Sequence, residues 1–180
     1  MRAPLKINLN DVVQRPGRPV EWELTLTLDR EESPPMAEPL TGKLTAISGG
    51  SILRIEAAFQ CAIWLECALC TGRFKHPIAF QFEEDYHVKG IPAGVNSQGF
   101  AQIEDDDPFP IFEGNVLLAE ELLRQYLLLQ VPMHPLCKED CKGLCHHCGA
   151  NLNNEACKCP PEPKNTAFAQ LAEIWQQDNP

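Results

Sequence analysis

Residues 20–29 read VEWELTLTLD, in which Val20, Trp22, Leu24, Leu26 and Leu28 alternate with Glu21, Glu23, Thr25, Thr27 and Asp29. A period of two places every apolar side chain on one side of an extended chain, so this stretch predicts a strand with one buried and one solvated face. The same alternation recurs on either side. Leu5, Ile7 and Leu9 carry it near the N-terminus, and Ala57, Phe59, Cys61, Ile63 and Leu65 share one face of a run that ends at Cys67. Phe74, His76, Ile78, Phe80, Phe82 and Tyr86 repeat it beyond a turn at Cys67–Gly72. The Gly49–Gly50 pair predicts a hairpin between Leu40–Ser48 and Ser51–Gln60, after a proline-rich separator at Ser33–Pro39.

The rest of the chain reads differently. Lys89–Pro110, with four consecutive acids at Glu104–Asp107 and little periodicity, predicts a loop or mobile insertion with a solvated acidic run. From Asn115, as cap, to Gln130 the pattern predicts a long apolar helix with a narrow polar stripe of Glu120, Glu121, Arg124 and Gln125, ended by Pro132. Phe168, Leu171, Ala172 and Trp175 fall on one face of a short terminal helix after a linker of prolines 160, 161 and 163. The expected fold class is α+β: a mainly antiparallel sheet with one long packed helix, a C-terminal zinc knuckle and a terminal helix. The expected domains are a β-rich core over 1–134, a cysteine-rich segment over 135–160, and the linker with its helix over 161–180.

Composition narrows the class further. A chain of 180 residues that is 44% hydrophobic and 22% charged can build one real core, and its 16 prolines exclude a mostly helical fold. The first residues lack the apolar core of a signal peptide, and no stretch has the roughly 18 apolar residues of a membrane helix. A cytoplasmic location is therefore expected, where thiols stay reduced, so nine cysteines point to metal rather than disulfides. The formal charge of −10 argues against coating nucleic acid by bulk electrostatics and fits a basic protein partner better than bare RNA.

The chemistry-bearing residues lie in the cysteine-rich segment. Cys145 and Cys148 form a CxxC turn followed by Gly149, and Cys157 and Cys159 supply a second pair. Four soft thiolates suit tetrahedral Zn²⁺ and close its shell, so the expected site is structural and leaves no open position for a catalytic water. In comparable peptides metal binding contributes on the order of 10 kcal/mol toward folding. A second CxxC, Cys67 and Cys70, and the pair Cys137 and Cys141 could form another zinc site; spacing alone does not decide whether they pair. Cys61, in phase with Phe59 and Ile63, reads as a core residue. His146 and His147 sit inside the first-named CxxC, which two thiolates already bracket. His76, His87 and His134 have no ligand partners at suitable spacing.

The run PLCKEDCKGLCHHCGANLNNEACKC, Pro135–Cys159, resembles the YceD family of large ribosomal RNA subunit accumulation proteins. The preceding LLLQVPMHPLC, the earlier Cys67/Cys70 turn and the opening LKINL fall in the same order as in that family. The resemblance implies a small bacterial protein, noncatalytic, needed for normal accumulation of large-subunit ribosomal RNA. Its expected partner is a precursor of that RNA or a basic ribosomal protein, and direct RNA contact would use Lys138, Lys142 and Lys158 around the knuckle. The rival readings are a thiol oxidoreductase using Cys67 and Cys70 and a zinc-stabilised interaction module unrelated to ribosomes. A reactive CxxC normally opens a helix, whereas this one lies between two expected strands. A nuclease would need a metal-binding scaffold that the acidic loop at Glu104–Asp107 does not suggest.

Overall fold

The computed structural model describes residues 5–28, 33–104 and 110–159. The proline linker, the terminal helix and the acids at 105–107 lie outside them. In chain order the elements are β1 (Lys6–Asn8), α1 (Asn10–Gln14), β2 (Val20–Leu26), β3 (Met36–Ser48), β4 (Ile52–Glu66), β5 (Arg73–Gly90), β6 (Ala101–Ile103), β7 (Phe112–Glu113), β8 (Val116–Leu118) and α2 (Ala119–Gln130). By contacts the chain divides into two compact units. Among the described residues the larger takes those up to Cys67 and from Gly72 to Cys137, and the smaller takes Ala68–Thr71 and Lys138–Cys159.

The fold is α+β and mainly antiparallel, as the alternation predicts. In the larger unit β2-β3-β4-β5-β6 form one sheet, each strand beside its sequence neighbour, and β1-β8-β7 form a second. The longest ladder joins β4 to β5 from Ile52↔His87 to Glu66↔Arg73. The glycine pair does turn β3 into β4: the Gly49 N–H donates to the Ile52 carbonyl at 2.8 Å, and Gly50 takes φ +100°, which an L side chain rarely adopts. The alternating faces bury Leu40, Leu44, Leu53, Ile55 and Ile63 completely, together with Leu9, Val13, Leu117, Leu123 and Leu127. Each such side chain contributes roughly 1.5–3 kcal/mol by leaving water. β3 starts earlier than expected, because Met36 and Glu38 already pair with β4, and the second of two register shifts, between Glu38 and Thr41, accommodates Pro39.

Three features add to or depart from the sequence reading. Asn10–Gln14, for which the sequence carried no expectation, forms a short helix, seating Val12 and Val13 in the core. The segment Lys89–Pro110 is only partly loop, since β5 runs to Gly90 and β6 pairs with it at Val88↔Ile103 and Gly90↔Ala101. Buried Gln14 completes this corner: its Nε2 donates to the Ala101 carbonyl at 2.6 Å, while its Oε1 accepts from the N–H groups of Ala93 and Ala101 at 3.1 and 3.2 Å. Third, Asn115 caps no helix. It belongs to the tight β7–β8 turn beside Gly114 (φ +63°), and its buried side chain accepts from the Ile103 N–H at 3.0 Å and donates to the Ala101 carbonyl at 2.9 Å.

The long helix is accordingly shorter than 115–130, because Val116–Leu118 is drawn into pairing with β1 and β7. α2 has 12 residues and buries Ala119, Leu122, Leu123 and Leu127. Tyr126 stacks on Phe82 of β5 with ring centroids 3.7 Å apart, and its hydroxyl donates to Glu84. Glu120 and Glu121 sit in the first turn, where the helix dipole favours them. Val131 is extended before Pro132, which ends the helix. Among the described residues no helix is long and apolar enough to cross a membrane.

Candidate metal centres

The first cysteine group starts at the tip of the β4–β5 hairpin. Beyond the last pair, Glu66↔Arg73, the Cys67 N–H donates to the Gly72 carbonyl at 3.0 Å and closes the turn. Thr71 adopts φ +56° there, a left-handed conformation that costs a β-branched residue energy and marks a turn shaped by something beyond local preference. Cys67 and Cys70 are buried within it, as is Cys141 in the later segment. In that segment the Cys141 N–H donates back to the Lys138 carbonyl at 3.2 Å. The sulfurs of Cys67, Cys70, Cys137 and Cys141 all lie within 4.8 Å of one another.

The second group belongs to the smaller unit. Gly143 turns at φ +72°, and a side chain there would press on the Leu69 carbonyl, 3.1 Å from where its Cβ would sit. From this turn Leu144 bridges Asn151, and the knuckle closes between them. The Cys145 N–H donates to the Ala150 carbonyl and the Gly149 N–H to the Cys145 carbonyl, each at 2.8 Å, with Gly149 at φ +73°. Cys145, Cys148, Cys157 and Cys159 also place their sulfurs within 4.8 Å of one another; the Cys157 sulfur is 3.2 Å from that of Cys145 and 3.7 Å from that of Cys148. The Cys159 N–H points at the Cys157 sulfur at 3.3 Å.

Electrostatics tests whether a cation fits. The Cys145 thiol is pulled down to about 6 by the backbone N–H of Cys148, then by the Cys157 sulfhydryl and the N–H of His147. Cys159 is pushed up to about 12, first by the sulfur of Cys157 and then by that of Cys148. Cys157 also ends above the ordinary thiol range: the Cys159 N–H favours its thiolate, but the Cys145 sulfur, burial and Cys148 outweigh that. One thiolate forms readily and the later ones resist, as expected of like charges crowded at one point. A divalent cation removes that resistance. Four sulfurs around tetrahedral zinc at about 2.3 Å stand about 3.8 Å apart; the Cys148–Cys157 spacing of 3.7 Å has that length, and the Cys145–Cys157 spacing of 3.2 Å is shorter. Each of the two groups could hold a metal ion.

One side chain with a part here carried no metal-ligand signature in the sequence. Asn153 donates to the Cys141 sulfur at 3.4 Å and to Asn151 Oδ1 at 2.9 Å, while accepting from the Lys142 N–H at 3.0 Å. It ties the turn after the knuckle to a thiolate, the outer-shell role that orients a ligand. The asparagine-rich ANLNN was the available signal, because Asn favours such turns. Cys61 lies in the core with its thiol pushed up by burial, apart from both groups. His146 and His147 are exposed neighbours with ring centroids 4.2 Å apart, and His76, His87 and His134 lie in neither group. Lys138, Lys142 and Lys158 are exposed, with Lys138 3.8 Å from Asp140.

Sheet, hairpin tip and knuckle together define a class of protein: an antiparallel β scaffold with two sets of four cysteines, each able to hold a metal ion. The chain belongs to the family described as Large ribosomal RNA subunit accumulation protein YceD, whose model matches residues 55–174 and so takes in all eight of these cysteines. Among curated proteins it is 34% identical over 55 residues to "Large ribosomal RNA subunit accumulation protein YCED homolog 1, chloroplastic" of Arabidopsis thaliana, covering 31% of this chain and 17% of that one. It is 32% identical over 83 residues to the protein of the same name from Zea mays, covering 44% of this chain and 28% of that one. The chain thus matches less than a third of the length of either relative. No solved structure matches it.

Proposed function

We propose that this protein is a noncatalytic zinc-binding factor that supports accumulation of large-subunit ribosomal RNA by binding its precursor or a basic ribosomal protein. The observation that carries the reading is the family match, whose interval contains both cysteine groups. Cys145, Cys148, Cys157 and Cys159 hold one zinc, and Cys67, Cys70, Cys137 and Cys141 hold a second. Bound zinc supplies folding free energy to a segment with few apolar residues of its own. Four-thiolate shells have no open position, which supports a structural role for the metal. The thiols work in a reducing, ribosome-containing compartment, the cytoplasm of a bacterium.

The geometry speaks against a thiol oxidoreductase at Cys67 and Cys70. Both lie in a turn with a strand on either side, away from the helix N-terminus that lowers the pKa of a reactive thiol. The functional reading is tested by deleting the gene and measuring the ratio of large- to small-subunit ribosomal RNA. The ratio should fall, recover with the wild-type protein, and stay low with the Cys145→Ser, Cys148→Ser double variant. An unchanged ratio on deletion would remove the ribosomal reading.

A further inference from the structure

The loop that joins Cys148 to Cys157 serves both cysteine groups at once. Its ends carry ligands of the second group, and its middle carries Asn153, whose side chain reaches a ligand of the first. The Asn153 Oδ1 accepts from the Lys142 N–H at 3.0 Å, while its Nδ2 donates to the Cys141 sulfur at 3.4 Å and to Asn151 Oδ1 at 2.9 Å. The carboxamide thus grips the chain at Lys142 and points its N–H at the sulfur one residue earlier. Asn151 steadies it from behind: its Oδ1 also accepts from the Asn153 N–H at 3.0 Å, and its carbonyl accepts from the N–H groups of Asn154 and Glu155 at 3.0 and 3.1 Å.

A second tie runs through the backbone, also within the smaller unit. Between Cys141 and Cys145 the Leu144 N–H donates at 3.0 Å to the carbonyl of Leu69, in the turn that carries Cys70, and the Gly143 carbonyl accepts from the Leu152 N–H at 3.0 Å. Gly143 and Leu144 are therefore held by the first group's turn on one side and by the second group's loop on the other. Leu152 is the one large apolar residue among the eight between Cys148 and Cys157, so apolar burial alone does little to fix this loop. Bonds from an ion to the cysteines at its two ends would fix it.

We infer that the two cysteine groups bind their ions cooperatively, with Asn153 as the positioning residue that couples them. An ion on Cys145, Cys148, Cys157 and Cys159 pins both ends of the loop, which holds Asn153 beside Cys141 and keeps that sulfur placed as a ligand of the first group. A hydrogen bond to a ligand from outside its coordination shell is worth about 10–100-fold in metal affinity. Coupling between sites is reciprocal, so an ion in the first group favours the second by the same factor. Coupling of this kind rests on the reading that both groups hold zinc, and adds that as zinc becomes scarce the two ions leave together more often than independent ions would.

The test is native mass spectrometry of the full-length chain titrated with chelator-buffered zinc. The wild type gives the association constant for both ions, a Cys145→Ser, Cys148→Ser variant gives that of the first group alone, and a Cys67→Ser, Cys70→Ser variant gives that of the second alone. The two-ion constant divided by the product of the two single-group constants is the coupling factor, which equals one for independent sites. It should be about ten in the wild type, and should fall toward one when all three proteins also carry Asn153→Ala. A purely structural role for Asn153 would lower the single-group and two-ion constants alike and leave the factor where it was. The wild-type factor needs no substitution at Asn153 and tests the coupling by itself. Two ions bound with a factor of one, or a factor that Asn153→Ala does not move, would overturn the inference and leave the zinc reading in place, whereas a wild-type chain that binds no zinc would overturn both.

Discussion

Cys145 and Cys61 carry the same thiol into opposite surroundings. Two backbone N–H groups aim at Cys145 and hold it near 6, whereas Cys61 is 7% exposed in the core and burial pushes its thiol up. Cys61→Ala should therefore leave the metal content unchanged and cost about 1 kcal/mol in urea unfolding, while Cys145→Ser should abolish metal at the second group. The direction of the Cys145 shift also gives a pH dependence. A thiol depressed from its ordinary 9.0 to about 6 contributes stability fully present above 9.0 and lost as pH falls through about 6. Protons and metal compete for the same sulfurs, so zinc should leave this group as the pH is lowered, read with a chromogenic zinc dye. A different residue test concerns Gln14. Gln14→Leu keeps the volume but takes the acceptor from the N–H groups of Ala93 and Ala101, while Asn115 still holds the Ala101 carbonyl, and should cost about 1–3 kcal/mol in urea unfolding.

At the scale of elements, α2 meets the sheet through Tyr126, which stacks on Phe82 and donates to Glu84. Burial first, then that hydrogen bond, raises the Tyr126 pKa above 10.0. A raised pKa contributes stability present below pH 10 and lost as pH climbs through the folded value. Tyr126→Phe keeps the stack, should cost about 1 kcal/mol at neutral pH, and should flatten the alkaline limb of a stability profile measured by urea unfolding. β3 supplies a companion test. At Gly42 a Cβ would sit 2.1 Å from the Ala58 carbonyl and 2.7 Å from the Phe59 ring, so Gly42→Ala should lower the melting point, at a cost of about 1–3 kcal/mol. What a sequence reveals of such elements depends on their length. β2, β4 and β5 were legible because seven or more residues repeat a period of two. A five-residue helix at Asn10–Gln14 is little more than one turn and shows no period. Asn115 was misread because Asn serves equally at a helix cap and in a hairpin turn, and only the pairing of Val116–Leu118 decides between them.

For the whole molecule, what was legible in the candidate site again followed sequence distance. Cys145, Cys148, Cys157 and Cys159 could be grouped from spacing because the chain between them is too short to take them far apart. Grouping Cys67 and Cys70 with Cys137 and Cys141 needs the long β4–β5 ladder, the small β1-β8-β7 sheet and α2 to return the chain to one place, a result of tertiary packing that spacing does not encode. The family resemblance, carried by Pro135–Cys159, was legible for the same local reason. Both groups are proposed to be closed four-thiolate zinc centres, which native mass spectrometry of the purified protein can count. Two zinc ions per chain are expected, one for each group, falling to one in Cys148→Ser and also to one in Cys70→Ser. A wild-type chain that carries no zinc, or that loses both ions on either single substitution, would contradict it.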